Sequence, residues 1–488
     1  GSKMDKNVRT RFAPSPTGFM HVGNLRTALY AYLYARHEGG KFILRIEDTD
    51  QKRYVEGATD VIYNTLKTTG MNWDEGPDIG GNYGSYVQSE RKDLYKKYAE
   101  ELVKTGHAYY CFCAGTHEEH ESESDEEHTT YGYNRKCRTL SPEEVKAKLE
   151  SGASYVIRQK IPLEGTTTFH DEVYGDITVN NDTLDDQILL KSDGLPTYNF
   201  ANVVDDHLMK ISHVMRGREY ISSTPKYQLL YEAFGWTPPK TVHLSLIMGQ
   251  NPDGTISKLS KRHGSTTFDK LMADGYLQEA VINYIALLGW SPKDDREFFT
   301  LEEMAEVFSL DGIVKSNAVF DYNKLAWMNS EYIKKMPFDK FVAYAKDFID
   351  NSNKYVAGHK ELACSLAQSR INKFSDINDL FKFLEEYNDF NLEMLCNKKN
   401  KVTIEGAKLA LIDLIPELEN LQTWNCEEIN NLLMNYATEK QVKVGYPMWV
   451  IRIAATASTV TPGGAGEMLE LLGKDETINR LKATLNRL

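Results

Sequence analysis

Apolar residues along this chain follow two rhythms, and the rhythm changes once. Val8-Arg9-Thr10-Arg11-Phe12-Ala13 is a short β-prone run closed by the loop signal Pro14-Ser15-Pro16-Thr17-Gly18. Leu25, Ala28, Leu29, Tyr32 and Leu33 then recur at i, i+3, i+4, i+7 and i+8, which predicts an amphipathic helix ending at Gly39-Gly40. Residues 41–46 read as a second strand, and Ala58, Val61, Ile62, Thr65 and Leu66 mark a second helix. Strand, helix, strand, helix with tight connections predicts a parallel α/β sheet. From about residue 104 to 180 the rhythm breaks into cysteines, an acidic run and short β-like stretches, so this segment reads as an insertion. Alternation resumes over 195–213 and 241–248. Beyond about residue 268 helical spacing dominates to the C-terminus, and no internal repeat is detectable.

Composition changes this picture little. At roughly 150 residues per domain, 488 residues predict about three domains. An apolar share of 41% and a charged share of 26% exclude disorder as the general state. The longest apolar stretch, 280–290, is too short for a membrane span and contains Asn283. The opening Gly-Ser-Lys-Met-Asp-Lys lacks an apolar segment, so no secretory signal is expected, and Gly1 and Ser2 are set aside as an expression remnant. Six unevenly spaced cysteines argue against a disulfide scaffold and for a reducing, cytoplasmic setting. The net charge of −13 weakly disfavours a nucleic-acid partner. However, the run His-Glu-Glu-His-Glu-Ser-Glu-Ser-Asp-Glu-Glu-His at 117–128 holds seven carboxylates and inflates that total, while binding depends on local patches.

Two separated segments suggest phosphate chemistry. Pro14 to Asn24 lies in the turn between the first strand and the first helix, at the sheet edge where doubly wound folds bind ligands. A helix N-terminus there offers free N–H groups to a phosphate, Gly18 and Gly23 permit close approach, and His21 can donate to a phosphate oxygen. Far downstream, Ser257-Lys258-Leu259-Ser260-Lys261-Arg262-His263-Gly264 packs three cations and no acid into one loop. Such a loop can close on a triphosphate and neutralise charge that develops in a transition state. Either segment alone is more often a plain turn or a solvated surface; together they point to one nucleotide site.

These segments carry a resemblance. His21-Val22-Gly23-Asn24 and Lys258-Leu259-Ser260-Lys261-Arg262 resemble the two signatures of class I aminoacyl-tRNA synthetases. Arg11-Phe12-Ala13-Pro14-Ser15-Pro16-Thr17-Gly18, Arg45-Ile46-Glu47-Asp48-Thr49-Asp50, the run from Pro196 to His207, Met215-Arg216-Gly217-Arg218-Glu219 and Ala318 to Asn329 narrow it to the bacterial-type glutamyl-tRNA synthetases. The resemblance implies an α/β class I Rossmann-type parallel-sheet catalytic domain with an inserted acceptor-binding domain, followed by an all-α C-terminal half. Its expected divisions are 7–103 and 195–267 for the catalytic domain, 104–194 for the insertion, 268–336 for a stem-contact domain and 337–488 for an anticodon-binding region.

The resemblance also implies roles. ATP falls to Pro14, Ser15, Gly18, His21, Gly23, Lys258, Ser260, Lys261 and Arg262, with His21, Lys258 and Lys261 catalytic. Glutamate presents two carboxylates and an ammonium, so its pocket needs cations and an acid; arginine offers planar paired donors that keep their charge. The resemblance assigns Arg11 and Arg216 to the carboxylates, Arg216 to the side-chain one, and Glu47 to the ammonium. Ala13, Ser15, Tyr198 and Asn202 complete that pocket. An arginine at the side-chain terminus separates glutamate from glutamine, whose own enzymes share the scaffold but lack this arginine. The implied chemistry is attack of the α-carboxylate on the α-phosphate of ATP, with Mg2+ carried by ATP, then transfer to the terminal ribose of tRNA(Glu). A monomer without membrane contact is expected.

Cys111, Cys113 and Cys137 suggest structural zinc, which favours four tetrahedral ligands. Thr139 stands where some relatives have a histidine, so the fourth ligand is Tyr133, by the spacing other relatives use, or His128. In the helical half, Lys398, Lys399 and Lys401 form a basic cluster, and Trp424, Tyr446 and Trp449 are able to stack on unpaired bases. Two other readings are a nucleotidyltransferase acting without tRNA and an inactive tRNA-binding module. The long helical extension disfavours the first, and the intact signature residues disfavour the second.

Overall fold

The computed structural model describes residues 7–113 and 135–488; the acidic run, His128 and Tyr133 lie outside them. β1 (Arg9–Phe12) leads into α1 (Val22–His37), β2 (Lys41–Leu44) and α2 (Ala58–Thr68), in the order that the periodicity predicts. α1 buries Leu25, Ala28, Leu29 and Leu33 of the stripe seen in the sequence, together with Val22, while Tyr32 is only half-buried. It ends two residues before the glycine pair. Gly39 takes a left-handed φ of +68°, and a side chain on Gly40 would collide with the carbonyl of Val8, so the pair is needed for a tight return to the sheet.

β1 and β2 pair in parallel, Arg9 with Lys41 through Phe12 with Leu44. The ladder runs past the formal strand: Arg45 N–H donates to Phe12 O at 2.9 Å, and Glu47 N–H to Pro14 O at 3.0 Å. α3 (Lys92–Lys104) precedes the insertion, where β3 (Ala108–Cys111), α4 (Pro142–Glu150), β4 (Val156–Gln159), β5 (Thr166–Asp171), β6 (Gly175–Asn180) and β7 (Ile188–Leu190) lie. β3, β4 and β7 form an antiparallel sheet, while β5 and β6 form a hairpin.

Alternation resumes with α5 (Tyr198–Leu208), β8 (His213–Gly217), α6 (Thr224–Phe234) and β9 (Lys240–Leu244). β8 and β9 pair in parallel, and β5 joins β9 through Asp171 opposite Thr241, so the hairpin extends the catalytic sheet. Ser212 ties β1 to this ladder: its N–H donates to Arg9 O at 2.9 Å, and Arg9 N–H donates to its Oγ at 2.8 Å. β10 (Ile247–Gln250) and β11 (Ile256–Lys258) form a hairpin, α7 (Phe268–Ala273), α8 (Gln278–Ala286) and α9 (Leu301–Val307) follow, and β12 (Ala318–Val319) pairs in parallel with β10. The chain thus has a parallel-sheet α/β catalytic part and a helical C-terminal part.

The chain divides into two compact units. One runs to Met272 and includes Gln278–Tyr322; the other comprises Ala273–Leu277 and Asn323–Leu488. The second unit is built of helices, among them Phe338–Asp350, Ile404–Glu419, Cys426–Lys440, Gly445–Thr456 and Lys474–Asn486. Among the described residues, no helix is long and apolar enough to cross a membrane.

Candidate active site

β8 and β9 run in the same sense, and a cavity of about 640 Å³ opens where their C-terminal ends meet that of β1. Arg11, Ala13, Pro14, Ser15, His21, Gly23, Tyr198, Arg216 and Lys258 line it. His21 and Lys258, far apart in the chain, therefore share one wall. Backbone bonds hold the two segments together: Val22 N–H donates to Thr266 O and Phe268 N–H to Met20 O, each at 2.9 Å.

His21 caps α1. The Gly23 N–H donates to its Nδ1 at 3.1 Å, so Nδ1 is an acceptor and the ring proton sits on Nε2. Burial, then the charge of Lys258, pulls the His21 pKa below the ordinary 6.5, keeping the ring neutral at pH 7. The helix end thus offers a neutral N–H donor beside the positive pole of the helix dipole.

The basic loop leaves β11 and makes a short turn over Lys261–His263. His263 shapes it: its Nδ1 accepts from Ser260 N–H at 3.0 Å, and its Nε2 lies 2.7 Å from Asn251 Oδ1. A side chain on Gly249 would strike the His263 ring. Lys258, Lys261 and Arg262 are exposed. Lys258 lines the cavity, whereas Gly18, Ser260, Lys261 and Arg262 stand outside its wall.

Beneath the cavity lies a buried charge network. Arg11 donates from Nε and Nη2 to both oxygens of Asp206 at 2.9 Å, and Arg45 donates to Asp206 from Nη1 at 2.9 Å. Arg216 Nη2 lies 3.9 Å from the same carboxylate. These cations hold the Asp206 carboxyl well below the usual carboxylate range despite burial, which opposes them. Asp205 accepts from Arg91 Nε at 2.7 Å, Tyr95 OH at 2.6 Å and Gln88 Nε2 at 2.8 Å. α5 makes this arrangement: Tyr198, Asn202, Asp205 and Asp206 recur at i, i+4, i+7 and i+8, and place polar groups on one helix face.

Among the described side chains that keep unsatisfied buried atoms are three expected to meet glutamate. Arg216 is 5% exposed, with Nε and Nη1 unpartnered, and its guanidinium lies 4.9 Å over the Tyr227 ring. Asn202 spends its Nδ2 on the carbonyls of Tyr198 and Asn199, which leaves Oδ1 open. Glu47 receives Arg45 and Gln88 on Oε2 and keeps Oε1 free. Burial pushes the Glu47 carboxyl up to about 7, against the pull of Arg45 and Arg11. Such unmade bonds are costly inside a protein and mark where a ligand would bond. Glu47 and Asn202 do not line the large cavity; Asn202 and Arg216 also border a second one of about 330 Å³.

Sequence reasoning missed Arg45, Asp205 and Asp206 as organisers of the site. The signal was present: an arginine between Leu44 and Ile46, and two acids directly after Val203-Val204, are charges inside apolar runs. A charge there must find a buried partner.

In the insertion, the Sγ atoms of Cys111, Cys113 and Cys137 lie within 4.8 Å of one another. Phe112 N–H donates to Cys137 Sγ at 3.2 Å. Burial and the neighbouring thiols push the Cys113 thiol up to about 12. Three sulfurs this close together fit a cation, which would stabilise all three as thiolates. In the second unit, Trp449 donates to Met394 O at 3.2 Å and lies under Arg452 at 5.2 Å, beside a cavity of about 450 Å³ that Asn400 and Asn430 also line. Trp424 is anchored to Leu469 O at 2.8 Å.

Comparisons with known proteins show the family. The family model for the catalytic domain of class I tRNA synthetases (E and Q) matches residues 7–327, and that for an anticodon binding domain matches 322–485. A glutamate–tRNA ligase of Clostridium botulinum (strain Hall) is 51% identical over 486 residues, covering 99% of each chain. One of Clostridium kluyveri is 50% identical over 488 residues, covering 99% of this chain and 98% of the other. The crystal structure of a glutamate tRNA ligase from Elizabethkingia meningosepticum in complex with its amino acid matches with a TM-score of 0.80 at 36% identity, covering 99% of this chain and 100% of that one. A glutamate–tRNA synthetase from Elizabethkingia anophelis matches with a TM-score of 0.81 at 36% identity, covering 98% and 99%.

Proposed function

The chain belongs to the class I tRNA synthetases for glutamate and glutamine, and we propose that the cavity at its strand ends is where L-glutamate is activated with ATP. Its reaction is glutamate–tRNA ligation: glutamate and ATP give glutamyl-adenylate and pyrophosphate, and tRNA(Glu) then takes the glutamyl group on its terminal ribose. The observation that carries the site is the single cavity shared by His21, Lys258, Arg11 and Arg216.

Arg216, with two N–H groups to spare, meets the side-chain carboxylate, and Arg11, held by Asp206, faces the other. The open Oε1 of Glu47 accepts from the ammonium, and Asn202 Oδ1, Ser15, Tyr198 and the Ala13 backbone complete the pocket. Glutamine would leave Arg216 as an unpaired buried charge, the kind of loss that gives strong discrimination. An α-carboxylate oxygen attacks the α-phosphorus in line, and the bond to the pyrophosphate oxygen breaks, with no covalent protein intermediate. His21 Nε2–H, the α1 N-terminus and Lys258 hold phosphate oxygens. Ser260, Lys261 and Arg262 close from the loop on the charge that develops on pyrophosphate. Magnesium carried with ATP supplies further charge neutralisation. The ribose hydroxyl, the 2′-OH in class I enzymes, then attacks the glutamyl carbonyl and AMP leaves.

Cys111, Cys113 and Cys137 would hold a structural zinc ion, with Tyr133 or His128 as the fourth ligand, and the ion would stiffen the segment that meets the tRNA acceptor end. The second unit reads the anticodon, with Lys398, Lys399 and Lys401 near its phosphates. The enzyme acts as a cytoplasmic monomer.

ATP–pyrophosphate exchange with glutamate, run with and without tRNA, tests the reading. Exchange that needs both glutamate and tRNA and fails with glutamine is expected. Exchange supported by another acid without tRNA would sink it.

A further inference from the structure

A buried side chain that touches the acid assigned to the ammonium has no part in the reaction as derived. Beyond β2 the chain pairs with a second segment: Ile46 N–H donates to Tyr86 O at 2.9 Å and Gln88 N–H to Ile46 O at 3.0 Å, with Ile46 bridged in parallel to Val87. One residue further on, Glu47 and Gln88 therefore leave the backbone on the same face. Ser89 continues the contact, donating to Asp48 from its N–H at 2.8 Å and from its Oγ at 2.7 Å. Gln88 is fully buried, and its Nε2 donates to Glu47 Oε2 at 3.0 Å and to Asp205 Oδ2 at 2.8 Å. Those partners fix the amide orientation, since turning it over would set its oxygen against two carboxylate oxygens. Among the described residues, its own Oε1 then has no partner.

A buried acceptor left bare is a cost that the fold bears to keep the amide N–H groups on two acids. The arrangement fixes Glu47. Arg45 holds Oε2 from Nε and Nη2, each at 3.1 Å, and Gln88 adds a third donor to the same oxygen, so the carboxylate is held and Oε1 stays open. A donated N–H also favours the ionised form of the acid that receives it. The charged and titratable groups around the pair are Arg11 on β1, Arg45 beyond β2, Asp205 and Asp206 on α5, and Arg91 and Tyr95 at the head of α3. An uncharged amide joins the two acids without adding charge to this crowd. We propose that Gln88 is the positioning residue of the ammonium site: it holds Glu47 so that Oε1 is presented to an α-ammonium, and the pocket thereby prefers an amino acid to a plain dicarboxylate. This rests on Glu47 meeting the ammonium.

The test is steady-state aminoacylation by the full chain with tRNA, with glutarate as competing inhibitor, since it keeps both carboxylates and lacks the ammonium. Gln88→Met matches the length of the side chain and leaves Arg45 on Glu47, and Arg91 and Tyr95 on Asp205. It should raise the KM for glutamate about tenfold, leaving the KM for ATP and the inhibition constant of glutarate near the parent's. The rising limb of kcat/KM for glutamate should move to higher pH, because Glu47 without that donor ionises later. Gln88→Asn, whose amide is drawn back by one methylene, should fall between the parent and Gln88→Met, and it carries the comparison if the methionine variant does not fold. A KM for glutamate and a pH profile like the parent's overturn the proposal. So does an equal weakening of glutamate and glutarate, the mark of a merely structural residue. Glu47→Gln in the same assay separates two failures: if it raises the KM for glutamate while the Gln88 variants are silent, only this inference falls. If it too is silent, the ammonium is held elsewhere and both readings fall.

Discussion

Arg11, Arg45 and Arg216 are 4%, 0% and 5% exposed around Asp206, whereas Lys258 at the end of β11 and Lys261 and Arg262 on the loop after it stand exposed. In the proposed reading both sets of cations serve anions, but under opposite demands. Telling a carboxylate from an amide requires a charge already stripped of water and fixed in place, because the penalty for the wrong ligand is an unpaired buried group. Folding meets that cost in advance through Asp205, Asp206 and Glu47. Pyrophosphate must be gripped and then released, which suits solvated side chains on a loop shaped by His263 rather than by ion pairs.

Four changes would break or sharpen this contrast. Asp206→Ala strands Arg11 and Arg45 in the interior and should cost about 3–5 kcal/mol of stability, read as a fall in Tm of the first unit. A Tm close to the parent's would mean that the network is relaxed. Arg216→Gln should lower kcat/KM for glutamate about 10³-fold, with little change in Tm, and weaken discrimination against glutamine. Lys261→Ala should slow adenylation about 10²-fold while glutamate affinity and Tm hold, since an exposed loop cation contributes to the transition state alone. Equal loss in rate and affinity would contradict that role.

The smallest effect concerns Glu47. Its folded pKa of about 7 exceeds the ordinary 4.5, so between these values the folded state holds the extra proton. Stability from this group is therefore full below about pH 4.5 and is lost as pH rises through about 7. Measured from pH 5 to 8, the Tm of the parent should fall by roughly 3 °C relative to Glu47→Gln. A pH-independent difference would mean that Glu47 is ionised throughout.

Much of the catalytic half was legible in the sequence because its pattern is local. The helix from Val22 to His37 follows from the spacing of Leu25, Ala28, Leu29 and Leu33, and the strand alternation follows from runs a few residues long. The signature residues were legible too, since their chemistry is written in residue type: His21 at a helix start, three cations in one loop. The roles of Asp205 and Asp206 were not, because a carboxylate in sequence carries no mark of which arginine it will neutralise.

Order along the chain, amphipathic faces and the presence of phosphate and carboxylate chemistry were thus properties of the sequence by itself. Tertiary structure alone decided that Arg11 is bound by Asp206 at 2.9 Å and that, among the described residues, Arg216 keeps N–H groups without a partner. The physical reason is the reach of the forces involved. Backbone propensity and periodic burial act over a few residues, while desolvation and charge pairing depend on which distant segments meet and how little water remains between them.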